Sequence, residues 1–67
     1  MTAVRLNGEP RELTAASVVA DAVTLLTSAT TGIAVAVDGV VVPRSLWAST
    51  VLLDGARVEV LTAVQGG

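Results

Sequence analysis

Cysteine, histidine, tyrosine, phenylalanine and lysine are all absent from this 67-residue sequence, and Trp47 is its single aromatic residue. Each absence closes a class of chemistry. Without Cys or His there is no thiolate or imidazole nucleophile, no zinc finger, no haem ligation and no Ser-His-Asp triad. Four scattered arginines make no basic stripe and one ring makes no stacking platform, which argues against a nucleic-acid partner. No Gly-x-Gly pair or Walker-type loop is present to cradle a nucleotide, so no bound cofactor is expected. Long hydrophobic runs are missing too. The longest, Ile33 to Val37, falls far short of the roughly 20 residues a spanning helix needs. No charged segment followed by an apolar one opens the chain as in a signal peptide. The expectation is a cytoplasmic protein away from the membrane, and the missing cysteines fit a reducing compartment.

What remains is one small domain, 52% hydrophobic and rich in Val, Ala and Leu, with a net charge of −2. A domain of this size buries only about 60% of its unfolded surface, so its core is thin.

The patterning sets out the elements. Thr2 to Asn7 alternates as a half-buried strand, and Asn7-Gly8 is a strong signal for a two-residue hairpin. Glu9 to Leu13 returns as a second strand, placed at a sheet edge because Pro10 has no N–H to donate. Ser17 is the expected helix N-cap, with Asp21 near the favourable end of the dipole. Val18, Ala22, Leu25 and Leu26 then form one apolar face, broadened by Val19 and Val23, over about ten residues. The pattern fades through Ser28, Thr30 and Thr31 to Gly32. Ile33 to Val37 and Val40 to Val42 read as a hairpin around Asp38-Gly39, stopped by Pro43. Arg44 to Thr50 is short and irregular, Val51 to Leu53 a brief strand, and Arg57 to Val64 the last strand. A single helix across one face of a small sheet buries these stripes most economically, which makes the chain α+β.

Candidate chemistry is sparse. Glu9, Glu12, Asp21, Asp38, Asp54 and Glu59 are the only carboxylate side chains, and turn formation or solvated surface accounts for them better than acid–base work. The unusual feature is the end of the sequence, Gln65-Gly66-Gly67. Residues without Cβ let a backbone thread a narrow partner site, where the Gly67 carboxylate could be activated as an acyl-adenylate. The protein would then be a substrate and not an enzyme. The plainer reading, a frayed terminus, stands beside it. Trp47 reads as a core plug. Arg44 reads as a solvated charge, with a partner contact as the sharper alternative. Leu61 and Ala63 turn the outer face of the last strand apolar just before the tail, either as a grip for a partner or as a surface that another segment covers.

The blocks Ala34-Val35-Ala36-Val37-Asp38-Gly39, Val41-Val42-Pro43-Arg44-Ser45 with Trp47, Leu53-Asp54-Gly55, Val58-Glu59-Val60 and Thr62-Ala63-Val64-Gln65-Gly66-Gly67 resemble the thiamine-biosynthesis sulfur carriers, the ThiS family. Asp38 stands where that family commonly has Asn, and Ala56 where it usually has a second Asp. The resemblance implies a ubiquitin-like β-grasp domain over 1–64, with first and last strands adjacent, and a flexible tail over 65–67. It implies that an E1-like adenylyltransferase uses ATP to adenylate Gly67, that a cysteine desulfurase system supplies sulfur for a thiocarboxylate, and that thiazole synthase receives it. Gly66 and Gln65 would thread the partner site, with Leu61, Ala63 and Arg44 as partner contacts. The alternatives are the carrier subunit of molybdopterin synthase and a non-covalent ubiquitin-like interaction module.

Overall fold

The computed structural model describes residues 1–27 and 32–62. Strand β1 (Thr2–Leu6) turns through Asn7-Gly8 into β2 (Glu9–Leu13), and helix α1 (Val19–Leu26) follows. Strands β3 (Ile33–Val37) and β4 (Val40–Val42) form the second hairpin, a single 3-10 turn covers Arg44–Leu46, and β5 (Arg57–Thr62) completes the described elements. The sheet order is β2-β1-β5-β3-β4. The two hairpins are antiparallel, β5 runs antiparallel to β3, and β1 and β5 are parallel neighbours. This is a β-grasp fold, a mixed sheet with one helix across one face.

Both hairpin turns carry positive φ at both central residues, Asn7 +52° with Gly8 +85° and Asp38 +50° with Gly39 +83°. That backbone matches the right-handed twist of the flanking strands. Pro10 lies on β2 at the sheet edge, as its missing donor requires.

One face of the sheet holds the core. Val4 and Leu6 of β1, Val35 of β3 and Val58 and Val60 of β5 pack with Val19, Ala22 and Val23 of the helix, closed off by Leu13, Trp47, Leu52 and Ala56. Trp47 is the core plug expected, and its indole Nε1 donates to the Val42 carbonyl at 2.9 Å.

The helix departs from the sequence reading in two ways. Its N-cap is Val18, not Ser17. The carbonyls of Thr50 and Trp47 accept from the Val19 and Ala20 amides at 3.0 and 3.1 Å, so a neighbouring segment does the work of a side-chain cap. Asp21 Oδ2 accepts from the Val18 amide at 2.9 Å, while the Ser17 hydroxyl is buried and donates to the Thr14 carbonyl. The buried stripe is also rotated. Val19, Ala22 and Val23 face the sheet, and Leu25 and Leu26 are exposed. In a helix of apolar residues on nearly every side, periodicity alone leaves the azimuth open. Val51 makes only an isolated bridge to Val18 and not the brief strand expected for Val51 to Leu53. No helix among the described residues is long and apolar enough to cross a membrane.

Candidate functional site: the open sheet face and the end of β5

Period-2 alternation sends the other half of each strand to the face opposite the helix. Ala3 and Arg5 of β1, Arg57, Glu59 and Leu61 of β5, Ala34 and Ala36 of β3 and Val41 of β4 share that face. Its character changes along β5. At the start, Arg57 lies beside Arg5 in the parallel ladder; at the far end, Leu61 lies opposite Ala34. Ala36 sits between Glu59 and Val41.

Leu61 is 68% exposed and Val41 71%. The small alanines of β3 leave the surface low between these two side chains. A shallow depression lined by Ala34, Ala36, Val41, Glu59 and Leu61 lies on one side of Leu61, and a second, lined by Gly32, Ile33, Ala34 and Thr62, on the other. No segment among the described residues buries Leu61. An apolar side chain standing between two shallow hollows is suited to holding another surface. Ala34, Ala36 and Val41 belong to this patch although the sequence reading did not single them out. The signal was available: β3 carries only alanines on its outer face, and counting across the Asp38-Gly39 turn puts Val41 beside them.

Arg44 has an intramolecular position. Its guanidinium carbon lies 5.8 Å from the centroid of the Trp47 ring, in the segment that reaches the N-terminus of the helix. A cation over an indole face is attracted by the ring quadrupole. The structure therefore pairs Arg44 with the core tryptophan on the helix side, while Leu61 belongs to the opposite face. Ala63, Gln65, Gly66 and Gly67 lie outside the described residues. Among the described residues no group of Asp or Glu is arranged to hold a metal ion.

Side chains also brace β5 from both flanks. Asp38 Oδ1 accepts from the Arg57 amide at 2.9 Å while the Asp38 amide donates to the Arg57 carbonyl. Asn7 Oδ1 accepts from the Val60 amide at 2.7 Å, and Asn7 Nδ2 donates to the Val60 carbonyl at 3.1 Å. Asp54 Oδ1 accepts from Ala3 at 2.7 Å and ties the turn before β5 to β1. All three residues had been read only as turn formers.

The family model for ThiS matches residues 4–67, nearly the whole chain. The chain belongs to the ThiS family. A crystal structure of the thiamine biosynthesis protein ThiS from Geobacter metallireducens has the same fold, with a TM-score of 0.74 and 28% sequence identity over 98% of this chain and 100% of that one. A comparison with curated proteins finds no match. The expected β-grasp fold of this ThiS family member, with β1 and β5 adjacent, is thus seen both in its strand order and in its likeness to a solved relative.

Proposed function

We propose that this ThiS family member is a sulfur carrier for thiamine biosynthesis, acting in the cytoplasm as a protein substrate of partner enzymes and not itself as an enzyme. The observation that carries the reading is the family match, which runs through Gly66 and Gly67. A carboxylate is a poor acyl donor because its oxygen is a poor leaving group. Attack of the Gly67 carboxylate on the α-phosphorus of ATP forms an acyl-adenylate and releases pyrophosphate. A sulfide-equivalent nucleophile, supplied through a cysteine desulfurase system, then adds to the acyl carbon and expels AMP, leaving a thiocarboxylate. Thiazole synthase is the acceptor of that sulfur.

In this reading the chain contributes reach and grip. Five residues follow Thr62, so Gly67 can extend at most about 18 Å beyond the end of β5. An adenylyltransferase that covers Leu61 must hold its nucleotide within that radius. Glycines at 66 and 67 keep the final stretch free of Cβ, so a narrow channel can close around the backbone.

Intact mass measured after incubation with ATP, a ThiS-activating adenylyltransferase and a sulfide donor tests the proposal. The expected product has one oxygen replaced by sulfur, and deleting Gly67 abolishes the change. Leu61→Asp is expected to slow adenylation while lowering the melting temperature by only a few degrees, since most of the side chain is already exposed. An unmodified mass with an adenylyltransferase shown to work on another ThiS protein would leave the interaction module as the better reading.

A further inference from the structure

The two hairpins of this fold use the same turn geometry but different first residues, Asn7 and Asp38, and the structure supplies a chemical reason. At Asp38 the side chain meets a donor, the Arg57 N–H, while the Arg57 carbonyl is taken by the Asp38 main chain. A carboxylate, which only accepts, suffices there. At Asn7 the side chain meets both a donor and an acceptor, the N–H and the C=O of Val60. A carboxylate cannot answer both, whereas an amide can. The orientation of that amide is settled by its partners, since the Val60 N–H can bond only to Oδ1 and the Val60 carbonyl only to Nδ2.

The position of this pair matters more than its count. The main-chain ladder between β1 and β5 ends at Leu6 and Val58, with the Asn7 amide donating to the Val58 carbonyl at 2.9 Å. Beyond it β1 has turned away through Gly8 towards β2, while β5 runs on to Thr62. Residues two apart on a strand present their polar groups to the same edge, so Val60 faces the place where β1 is missing. The Asn7 side chain fills that place and lengthens the parallel ladder by one step, across 53 residues of sequence.

We propose that Asn7 is a positioning residue for the carrier reaction: its side-chain amide holds the end of β5 through Val60, so that the residues beyond Thr62 start from a fixed strand end. The proposal rests on the sulfur-carrier reading. It assigns Asn7 no contact with ATP or with the reacting carbon. Its effect passes through β5, whose last two described residues, Leu61 and Thr62, lie immediately beyond the clamp and immediately before the tail.

The test uses Asn7→Gly and Asn7→Asp in the full chain. Both residues accept a left-handed turn conformation, so a role confined to the turn leaves each variant like the wild type. The glycine variant removes both hydrogen bonds, and the aspartate variant sets a carboxylate oxygen against the Val60 carbonyl. In Asn7→Gly, hydrogen exchange of the Val60 amide is expected to accelerate about tenfold or more, the scale set by one or two lost hydrogen bonds. With a ThiS-activating adenylyltransferase, kcat for adenylation is expected to fall about tenfold in both variants with KM within about twofold of wild type, because the docking face survives while fewer bound tails are aligned. Unchanged Val60 exchange overturns the clamp. Faster exchange with unchanged kcat overturns the positioning role alone, and loss of cooperative melting in both variants makes Asn7 a structural residue and also overturns it. A wild-type chain that is never adenylated overturns the carrier reading and this proposal together, which separates the two failures.

Discussion

Leu6 and Leu61 offer a controlled comparison, because the same deletion, Leu→Ala, falls on opposite faces of one sheet. Leu6 is 1% exposed beneath the helix and Leu61 is 68% exposed on the open face. Burying a leucine fully is worth about 1.5–3 kcal/mol. With only a third of its surface hidden, Leu61→Ala should cost about 0.5–1 kcal/mol, a melting shift of roughly 2–8 °C in a domain of this size. Leu6→Ala adds a cavity and should cost about 2–5 kcal/mol. A chain of this length has a total stability of about 3–10 kcal/mol, so the Leu6 variant is expected to be partly unfolded near 37 °C. Urea titration followed by the fluorescence of Trp47, the single and buried tryptophan, reads both variants on one probe. The functional order should be the reverse. Among molecules still folded, Leu61→Ala should slow adenylation and Leu6→Ala should not. Equal stability costs at the two positions would mean that Leu61 is packed, and the open-face site would fall with that result.

Substitutions at three further positions probe the backbone and its braces. Ala16 holds φ at +65°, a strained conformation for a residue with a Cβ, so Ala16→Gly should stabilise the chain by about 0.5–1 kcal/mol after the extra freedom of the unfolded glycine is deducted; a lowered melting temperature would contradict it. Asp38→Asn keeps the acceptor for the Arg57 amide and should lie within about 0.5 kcal/mol of wild type in a urea titration, whereas Asp38→Ala loses it at a left-handed position and should cost about 2 kcal/mol. Trp47→Phe removes the donor to the Val42 carbonyl and the indole beneath Arg44, and circular dichroism melts should show a loss of about 1–2 kcal/mol.

The parts of the fold legible in the sequence are those with a local cause. Asn7-Gly8 and Asp38-Gly39 need positive φ at both positions, and few dipeptides supply it, so both hairpins and their registers follow from short range. Pro10 placed β2 at the edge for an equally local reason, its missing donor. The helix was visible but its orientation was not, since Val, Ala and Leu occur around most of its circumference and the sheet decides which side is buried. Ser17 failed as a cap because the carbonyls of Trp47 and Thr50, about 30 residues away, arrive at the same place. The same limit hid half of the site. Leu61 could be read as an outward apolar residue from alternation alone, but its exposure depends on what the rest of the chain covers. Asn7, Asp38 and Asp54 looked like turn residues because each does form a turn; their second partners lie 53, 19 and 51 residues away.

The strand order has a consequence for how the chain folds. Strand β5 comes last among the described elements yet lies at the centre of the sheet, joining the β1–β2 hairpin to the β3–β4 hairpin. During synthesis both hairpins and the helix emerge before anything can connect them, and the central pairing of Arg5 with Arg57 closes a loop spanning most of the chain. Folding should therefore be slow for a domain so small, in the millisecond-to-second range of non-local β topologies, and begin in earnest only after the ribosome has delivered β5. A nascent chain cut short before Arg57 lacks the middle of its sheet. Quality control by proteases then falls on unfinished chains, while a chain that has folded has already closed its sheet around β5.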